Sequence, residues 1–265
     1  MKTRLVRVRR AAPVRRIAAL FFLTLAALLW LTARRGDPVQ AILSARDAER
    51  TTSDVVFSEL SLHAVRTAVC DSEAAARVEA ARYAPRGAAG YALHREVWHV
   101  LAAGYETAEE ADAVRDNLRA QEGMSCDTVS LVCGRVRVRV TATAEQTEAL
   151  VGCERALRES AALVASLSRA IDKGEAAVPQ ALGVLKEQRA ALEEARARLA
   201  AAAGEAADAK VVSPLLSLAE TAEKGLKSLT AEQAALPDIL FSGRMKALFL
   251  SMRVGEIDYL ASLGG

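Results

Sequence analysis

The sequence predicts an α+β protein in three parts: a transmembrane helix, a small antiparallel sheet with two helices, and a C-terminal α-helical hairpin or bundle. Three observations predict it. Residues 17–33 form an uncharged apolar run, residues near 60–132 repeat at an interval of 35, and alanine and leucine dominate the second half. With aromatic residues at only 4%, this composition favours helices with narrow apolar seams over one large core.

The formal net charge of +2 conceals a basic N-terminal arm, residues 1–16. Beyond the arm the chain is mildly acidic, which argues against a nucleic-acid partner. The seven positive charges of the arm are Lys2, Arg4, Arg7, Arg9, Arg10, Arg15 and Arg16.

The apolar run 17–33 is just long enough to span a bilayer as a helix, and Trp30 lies near its far end. Two arginines follow it, so the charge bias places the N-terminus in the cytoplasm and the rest outside. The alternative is a cleaved signal peptide, but such a peptide has a shorter apolar core and a small-residue cleavage site. Both readings export the chain. Residues 34–55 are predicted to be a linker.

Residues 56–143 are predicted to form an α/β domain. Strands are expected at 60–69, 91–93, 97–105 and 129–132. Helices are expected at 72–86, where Asp71 or Ser72 can cap the first turn, and at 107–121, where Thr107 and Glu110 form a capping box.

An internal repeat relates the two halves of this domain, since each encodes strand, helix, strand. Two such halves predict a β-α-β-β-α-β order, with a four-stranded antiparallel sheet, both helices on one face and the other face open. The matching positions are Ala68, Cys70, Ser72 and Ala76 with Ala103, Tyr105, Thr107 and Ala111.

Residues 61–132 resemble a SPOR domain, a bacterial envelope module. Val65-Arg66-Thr67-Ala68-Val69-Cys70 stands where the family's first strand has V-Q-x-G-x-F, and HVLAAGY at 99–105 matches the register of its third strand. RGAAGYAL at 86–93 also resembles relatives in Gram-positive bacteria. The resemblance implies a ferredoxin-like fold that binds the glycan strands of peptidoglycan.

Strand alternation assigns Arg66, His99, Leu101 and Tyr105 to the open face, and these four are the predicted glycan-binding residues. Tyr105 can stack on a sugar ring, while Arg66 and His99 can donate hydrogen bonds. Arg66 and His99 are alternatively solvated residues of their strands, and Tyr105 is alternatively a residue that caps the core.

The sequence contains no catalytic constellation, and the protein is predicted not to be an enzyme. G-x-S-x-G, P-loop and G-x-G-x-x-G motifs are missing, and the three histidines have no metal-ligand spacing, so neither a metal nor a cofactor is expected. The four cysteines are expected to be small buried residues, with a Cys126–Cys133 disulfide as the alternative.

Residues 134–143 alternate valine with arginine, which predicts a further strand, either paired in a hairpin with the fourth strand or extending the sheet. Its arginines form either a cationic ridge for anionic wall polymers or a solvated edge that resists aggregation.

The remainder, 144–265, is predicted to be helical. A seam of apolar residues predicts an antiparallel helical hairpin that turns near Gly174 and Pro179, and two more helices follow at 214–235 and 237–263. The last is unusually apolar but contains three basic residues, so it is expected to pack on the other helices or to dock a partner. The seam consists of Leu150, Cys153, Leu157, Val164, Leu167 and Ile171.

Together these features predict a single-pass protein of the cell membrane whose bulk is extracytoplasmic. Its predicted function is that of an adaptor of cell division or sporulation that binds peptidoglycan glycan strands, with possible protein partners along the helical region. The alternative is an envelope scaffold that has lost glycan binding and whose helices oligomerise or recruit partners. An exporter subunit is a weaker possibility because it leaves the α/β repeat unexplained.

Overall fold

The computed structural model describes residues 50–204, 210–231 and 236–264. The strands in this part are β1 (Thr51–Phe57), β2 (Leu60–Cys70), β3 (Tyr91–His94), β4 (Trp98–Tyr105), β5 (Asp127–Cys133) and β6 (Val136–Ala142). The helices are α1 (Glu73–Tyr83), α2 (Ala108–Glu122), α3 (Ala144–Asp172), α4 (Val178–Ala203), α5 (Val212–Ala231) and α6 (Asp238–Gly264).

Four strands form an antiparallel sheet in the order β3-β4-β2-β5. Helices α1 and α2 begin where the sequence predicts, because a hydroxyl caps each first turn. The Ser72 side chain accepts a hydrogen bond from the backbone N–H of Ala75, and Thr107 accepts one from Glu110. Ala76 and Ala80 of α1 pack on Val100 of β4, so small side chains bring this helix close to the sheet.

The remaining strands, β1 and β6, form a separate two-stranded sheet, yet they continue the pairing of β2 with β5. Phe57 pairs with Val136 and Leu60 pairs with Cys133, so both strands advance by three residues and the register is unbroken. Residues 58–59 and 134–135 interrupt the ladder between them. One long antiparallel ribbon therefore runs from the four-stranded sheet to β1 and β6.

The helices α3 to α6 pack together as a bundle in which α3 contacts α4 and α6, and α5 contacts α4 and α6. The apolar seam predicted for α3 is confirmed at five of its six positions, where the side chain is at most 7% exposed. Gly174 adopts a left-handed φ of +70° in the turn that leads to α4. The buried seam residues are Leu150, Cys153, Leu157, Val164 and Ile171.

Helix α6 joins the other three helices of the bundle to the sheet. It packs on α3 and α5 and also contacts strands β2 to β6. Phe249 and Leu250 lie against Gly104 of β4, and Lys246 donates a hydrogen bond to the carbonyl oxygen of Gly87 at 2.8 Å. A helix that is apolar on all sides requires burial on several sides, and α6 obtains it between the sheet and α3.

The predicted fold class, a transmembrane helix followed by a four-stranded sheet with one open face and by a separate helical region, is therefore wrong. The described chain is α+β with six helices and two small sheets, and the sheet face that was expected to be open carries α6. The hairpin predicted between β5 and β6 is not formed. Strand β6 pairs instead with β1, which lies partly in the expected linker 34–55, in a two-stranded sheet that continues only the β2–β5 register. Residues Arg50–Gly265 form one compact unit, across the expected boundary at 143.

The transmembrane helix predicted at 17–33 lies outside the described residues, as do the basic arm 1–16 and most of the linker. None of the helices that the structure describes is long and apolar enough to cross a membrane.

The Cys126–Cys133 disulfide is not formed, and all four cysteines are free. Cys126 immediately precedes β5 and Cys133 ends it. At about 3.3 Å per strand residue, the two are roughly 20 Å apart, far beyond the reach of a disulfide.

Candidate functional site

Two irregularities in the pairing of β2 with β4 decide which side chains share a face. The register passes over Thr67 in β2 and Ala102 in β4, so simple alternation along either strand fails at these points. The flanking pairs are Val65 with Ala103, Arg66 with Leu101, and Ala68 with Val100.

The four predicted glycan-binding residues consequently do not form one surface. Arg66, His99 and Leu101 lie on the face that carries α6, but Leu101 is fully buried there. Tyr105 follows Gly104, which faces α6, so alternation turns Tyr105 to the opposite face. Tyr105 is partly buried, and burial raises its pKa to about 12.

Arg66 and His99 do come together, and Asp127 of β5 joins them. The Arg66 guanidinium donates from Nε to Asp127 Oδ1 at 2.8 Å and from Nη2 to Asp127 Oδ2, a two-pronged ion pair. Its Nη1 lies 3.0 Å from His99 Nδ1. Because a guanidinium can only donate, Nδ1 is the acceptor and the ring proton of neutral His99 is on Nε2.

The electrostatics of this cluster keep all three groups in one protonation state near neutral pH. The hydrogen bond and charge of Arg66 lower the pKa of Asp127, and the same hydrogen bond raises the pKa of Arg66. Desolvation by burial and the charge of Arg66 lower the pKa of His99 below its ordinary 6.5. Near neutral pH, Arg66 is therefore a cation, Asp127 is an anion and His99 is a neutral imidazole.

The end of the sheet that contains this cluster is not covered by α6. Arg66 keeps 22% of its side chain exposed and Asp127 keeps 49%, while Val69 on the same face is 52% exposed. Beside them, Arg95 of the β3–β4 turn forms an ion pair with Asp258 of α6 at 2.7 Å. We call the four residues Arg66, Val69, His99 and Asp127 the sheet corner.

Of the four residues of the sheet corner, Asp127 is the one that carries a carboxyl group. Asp127 is a salt-bridged carboxylate with a lowered pKa, so it is a poor proton donor, and glycoside hydrolysis requires two carboxyl groups. Among the described residues, no group of three or more histidine, cysteine, aspartate or glutamate side chains is arranged to hold a metal ion.

Asp127 was not among the residues predicted from the sequence. Its role depends on the β2–β5 register, which places it directly opposite Arg66. An acidic residue at the start of a strand that pairs with Arg66 is a signal, but only once that register is known.

A second feature is a groove of about 1010 Å³ between β1, α3 and α4. Small side chains, including Gly152, Ala191 and Ala195, line it, and charges of both signs stand at its rim. It presents no convergent polar set comparable with the sheet corner.

In comparisons with known proteins, no family model, no curated protein and no solved structure matches this chain.

Proposed function

We propose that this chain is a non-catalytic adaptor of the cell envelope that binds peptidoglycan glycan strands in cell division or sporulation. The observation that carries the proposal is the Arg66–His99 contact, which joins two of the residues predicted to bind glycan at the uncovered end of the sheet. The resemblance of residues 61–132 to a SPOR domain supplies the class of ligand.

The chemistry of the sheet corner suits an amide-bearing sugar polymer. Acetamido groups and hydroxyls need donors and acceptors at fixed positions, and sugar rings need a small apolar surface. His99 Nε2–H and the outer guanidinium protons are donors, Asp127 is an acceptor and Val69 is apolar. Because Asp127 holds Arg66 in place, binding costs little further side-chain entropy.

Retention of the purified full-length chain on amidase-treated sacculi tests this proposal. The wild-type chain is expected to co-sediment, and Arg66→Gln and His99→Ala are expected to reduce retention strongly. Arg77→Gln is the matched control, since Arg77 is an exposed, ion-paired arginine on α1 and its loss should change nothing. Folded Arg66→Gln and His99→Ala chains that are retained like the wild type would refute the proposal.

One observation favours a second candidate, a structural scaffold without glycan binding whose helices oligomerise or recruit partners. Helix α6 covers most of the sheet face that the sequence predicted to be bare, and it buries Leu101 there. If the protein is such a scaffold, neither the wild-type chain nor its variants are retained on sacculi, and the full-length protein has a defined oligomeric mass in light scattering. Retention that depends on Arg66 excludes it.

A further inference from the structure

The β1–β6 ribbon has an outward face that neither the sheet corner nor the core uses. Val55, Phe57, Val136 and Ala142 turn inward and are buried. The other set of paired residues faces outward, and we call it the ribbon outer face. It consists of Thr52, Asp54 and Val56 on β1 and of Arg137, Arg139 and Thr141 on β6.

Direct contacts across the two strands show that these side chains share one face. Thr52 and Thr141 are joined by a hydrogen bond of 2.9 Å between their hydroxyls. Asp54 Oδ1 lies 3.6 Å from Arg139 Nε, and Asp54 Oδ2 lies 3.9 Å from Arg137 Nη1. Both separations exceed hydrogen-bond length, so Asp54 leaves the donors of both guanidinium groups available.

The ribbon outer face carries a net positive charge and is open to solvent. The side chains of Arg137 and Arg139 are 70% and 79% exposed. The exposed residues Arg50 and Arg135 flank it at its two ends. Across residues 50–59 and 134–142 of the ribbon, four arginines accompany two acids, Asp54 and Glu59.

Charged side chains also protect edge strands from pairing, but that role sets neither the sign of the charges nor their spacing. A row of the same sign at every second residue, about 6.6 Å apart, repels itself, and repulsion of this kind lowers stability. Such a row suits a linear chain of negative charges.

We propose that the ribbon outer face binds a linear polymer of phosphate groups, with Arg137 and Arg139 as its central contacts. Guanidinium groups bind phosphate oxygens through two parallel hydrogen bonds, and the exposed arginines of β6 follow one another along the strand, so a polymer can lie along it. The face has valine and threonine but no aromatic side chain, so it lacks the stacking platform that single-stranded nucleic acids use.

The binding of long-chain inorganic polyphosphate to the purified full-length chain tests this proposal. The basic arm would bind the same probe, so all chains carry glutamine in place of Arg4, Arg7, Arg9, Arg10, Arg15 and Arg16. Affinity is measured against salt concentration. Arg137→Gln with Arg139→Gln is expected to lower the slope of log affinity against log salt by about two, one for each lost charge.

Two further variants separate the ribbon outer face from general charge. Asp54→Asn removes the acid of this face and is expected to tighten binding, the opposite direction. Arg77→Gln with Arg198→Gln removes two exposed arginines from α1 and α4 and is expected to leave the slope unchanged.

Three results would overturn the proposal. They are an unchanged affinity in the folded Arg137→Gln/Arg139→Gln chain, an equal loss in the Arg77→Gln/Arg198→Gln chain, and tighter binding of single-stranded oligothymidylate than of polyphosphate.

Discussion

Leu250 of α6 packs so closely on Gly104 of β4 that a Cβ atom at Gly104 would lie 2.6 Å from Leu250 Cδ2. The same atom would lie 2.8 Å from Leu62 Cδ1 and 3.1 Å from Phe249 Cε1. Leu62, Phe249 and Leu250 are all buried, so they have little room to move. The absence of a side chain at Gly104 is therefore what allows α6 to approach the sheet.

Gly104→Ala is expected to destabilise the protein by about 1–3 kcal/mol, the usual cost of overpacking a core. Urea unfolding of the wild type and the variant measures this loss in the free energy of unfolding. The control is Gly183→Ala in α4, where a Cβ meets nothing within 4 Å. Since Gly183 lies in a helix interior, that change should stabilise the chain by about 0.5–1 kcal/mol. A neutral Gly104→Ala would mean that α6 does not depend on this contact.

Local signals in the sequence predict where the helices and strands lie better than they predict which of these elements contact one another. Ser72 and Thr107 cap their helices as expected, because capping depends on residues within one turn. Strand β1 was missed because Thr51-Thr52-Ser53-Asp54 is polar and resembles a linker. It becomes a strand only because β6 pairs with it from 79 to 91 residues away.

The candidate site also depends on contacts that local signals in the sequence do not predict. Alternation assigns Arg66 and His99 to one face, as found, but the bulge at Ala102 moves Tyr105 to the other face. A bulge cannot be predicted from the periodicity of the sequence. The all-round apolar character of α6 signals burial, yet it does not specify that the sheet is the partner.

Arg253 is a buried cation whose removal should be costly. It is 3% exposed and donates to Glu256 Oε2 at 2.9 Å and to Glu106 Oε1 at 2.7 Å. Arg253→Met leaves Glu256 buried without its partner, and a loss of about 3–5 kcal/mol in the free energy of unfolding is expected.

The double variant Arg253→Met/Glu256→Leu is the informative comparison, since it removes both buried charges. It should recover much of the stability that Arg253→Met loses, because an apolar pair needs no desolvation of charge. Denaturant unfolding of both chains measures the difference. A double variant as unstable as the single one would show that packing, and not the unpaired carboxylate, causes the loss.

Glu256 should also make stability depend on pH. Burial raises the pKa of Glu256 from 4.5 to about 7, with a contribution from Glu154, although Arg253 and Arg158 oppose the rise. The folded chain then binds this proton more tightly than the unfolded chain does. This contribution to stability is therefore complete below about pH 4.5 and is lost as the pH rises to about 7.

Glu256→Gln imitates the protonated side chain, so this part of the pH dependence should disappear in the variant. The melting temperature measured across this pH range tests it. Glu194→Gln, which removes an exposed carboxylate paired with Arg198, is the control and should keep the wild-type profile. An unchanged profile in Glu256→Gln would contradict the raised pKa.

The four free cysteines should differ sharply in reactivity. Cys70 at the end of β2 is partly exposed, whereas Cys126, Cys133 and Cys153 are at most 8% exposed. Burial also raises the pKa of Cys153 to about 11, which suppresses its reactive thiolate form. A thiol reagent is therefore expected to label one cysteine rapidly in the native chain and the other three only after unfolding. Cys70→Ser should abolish the rapid phase, and a rapid phase that survives it would place another thiol at the surface.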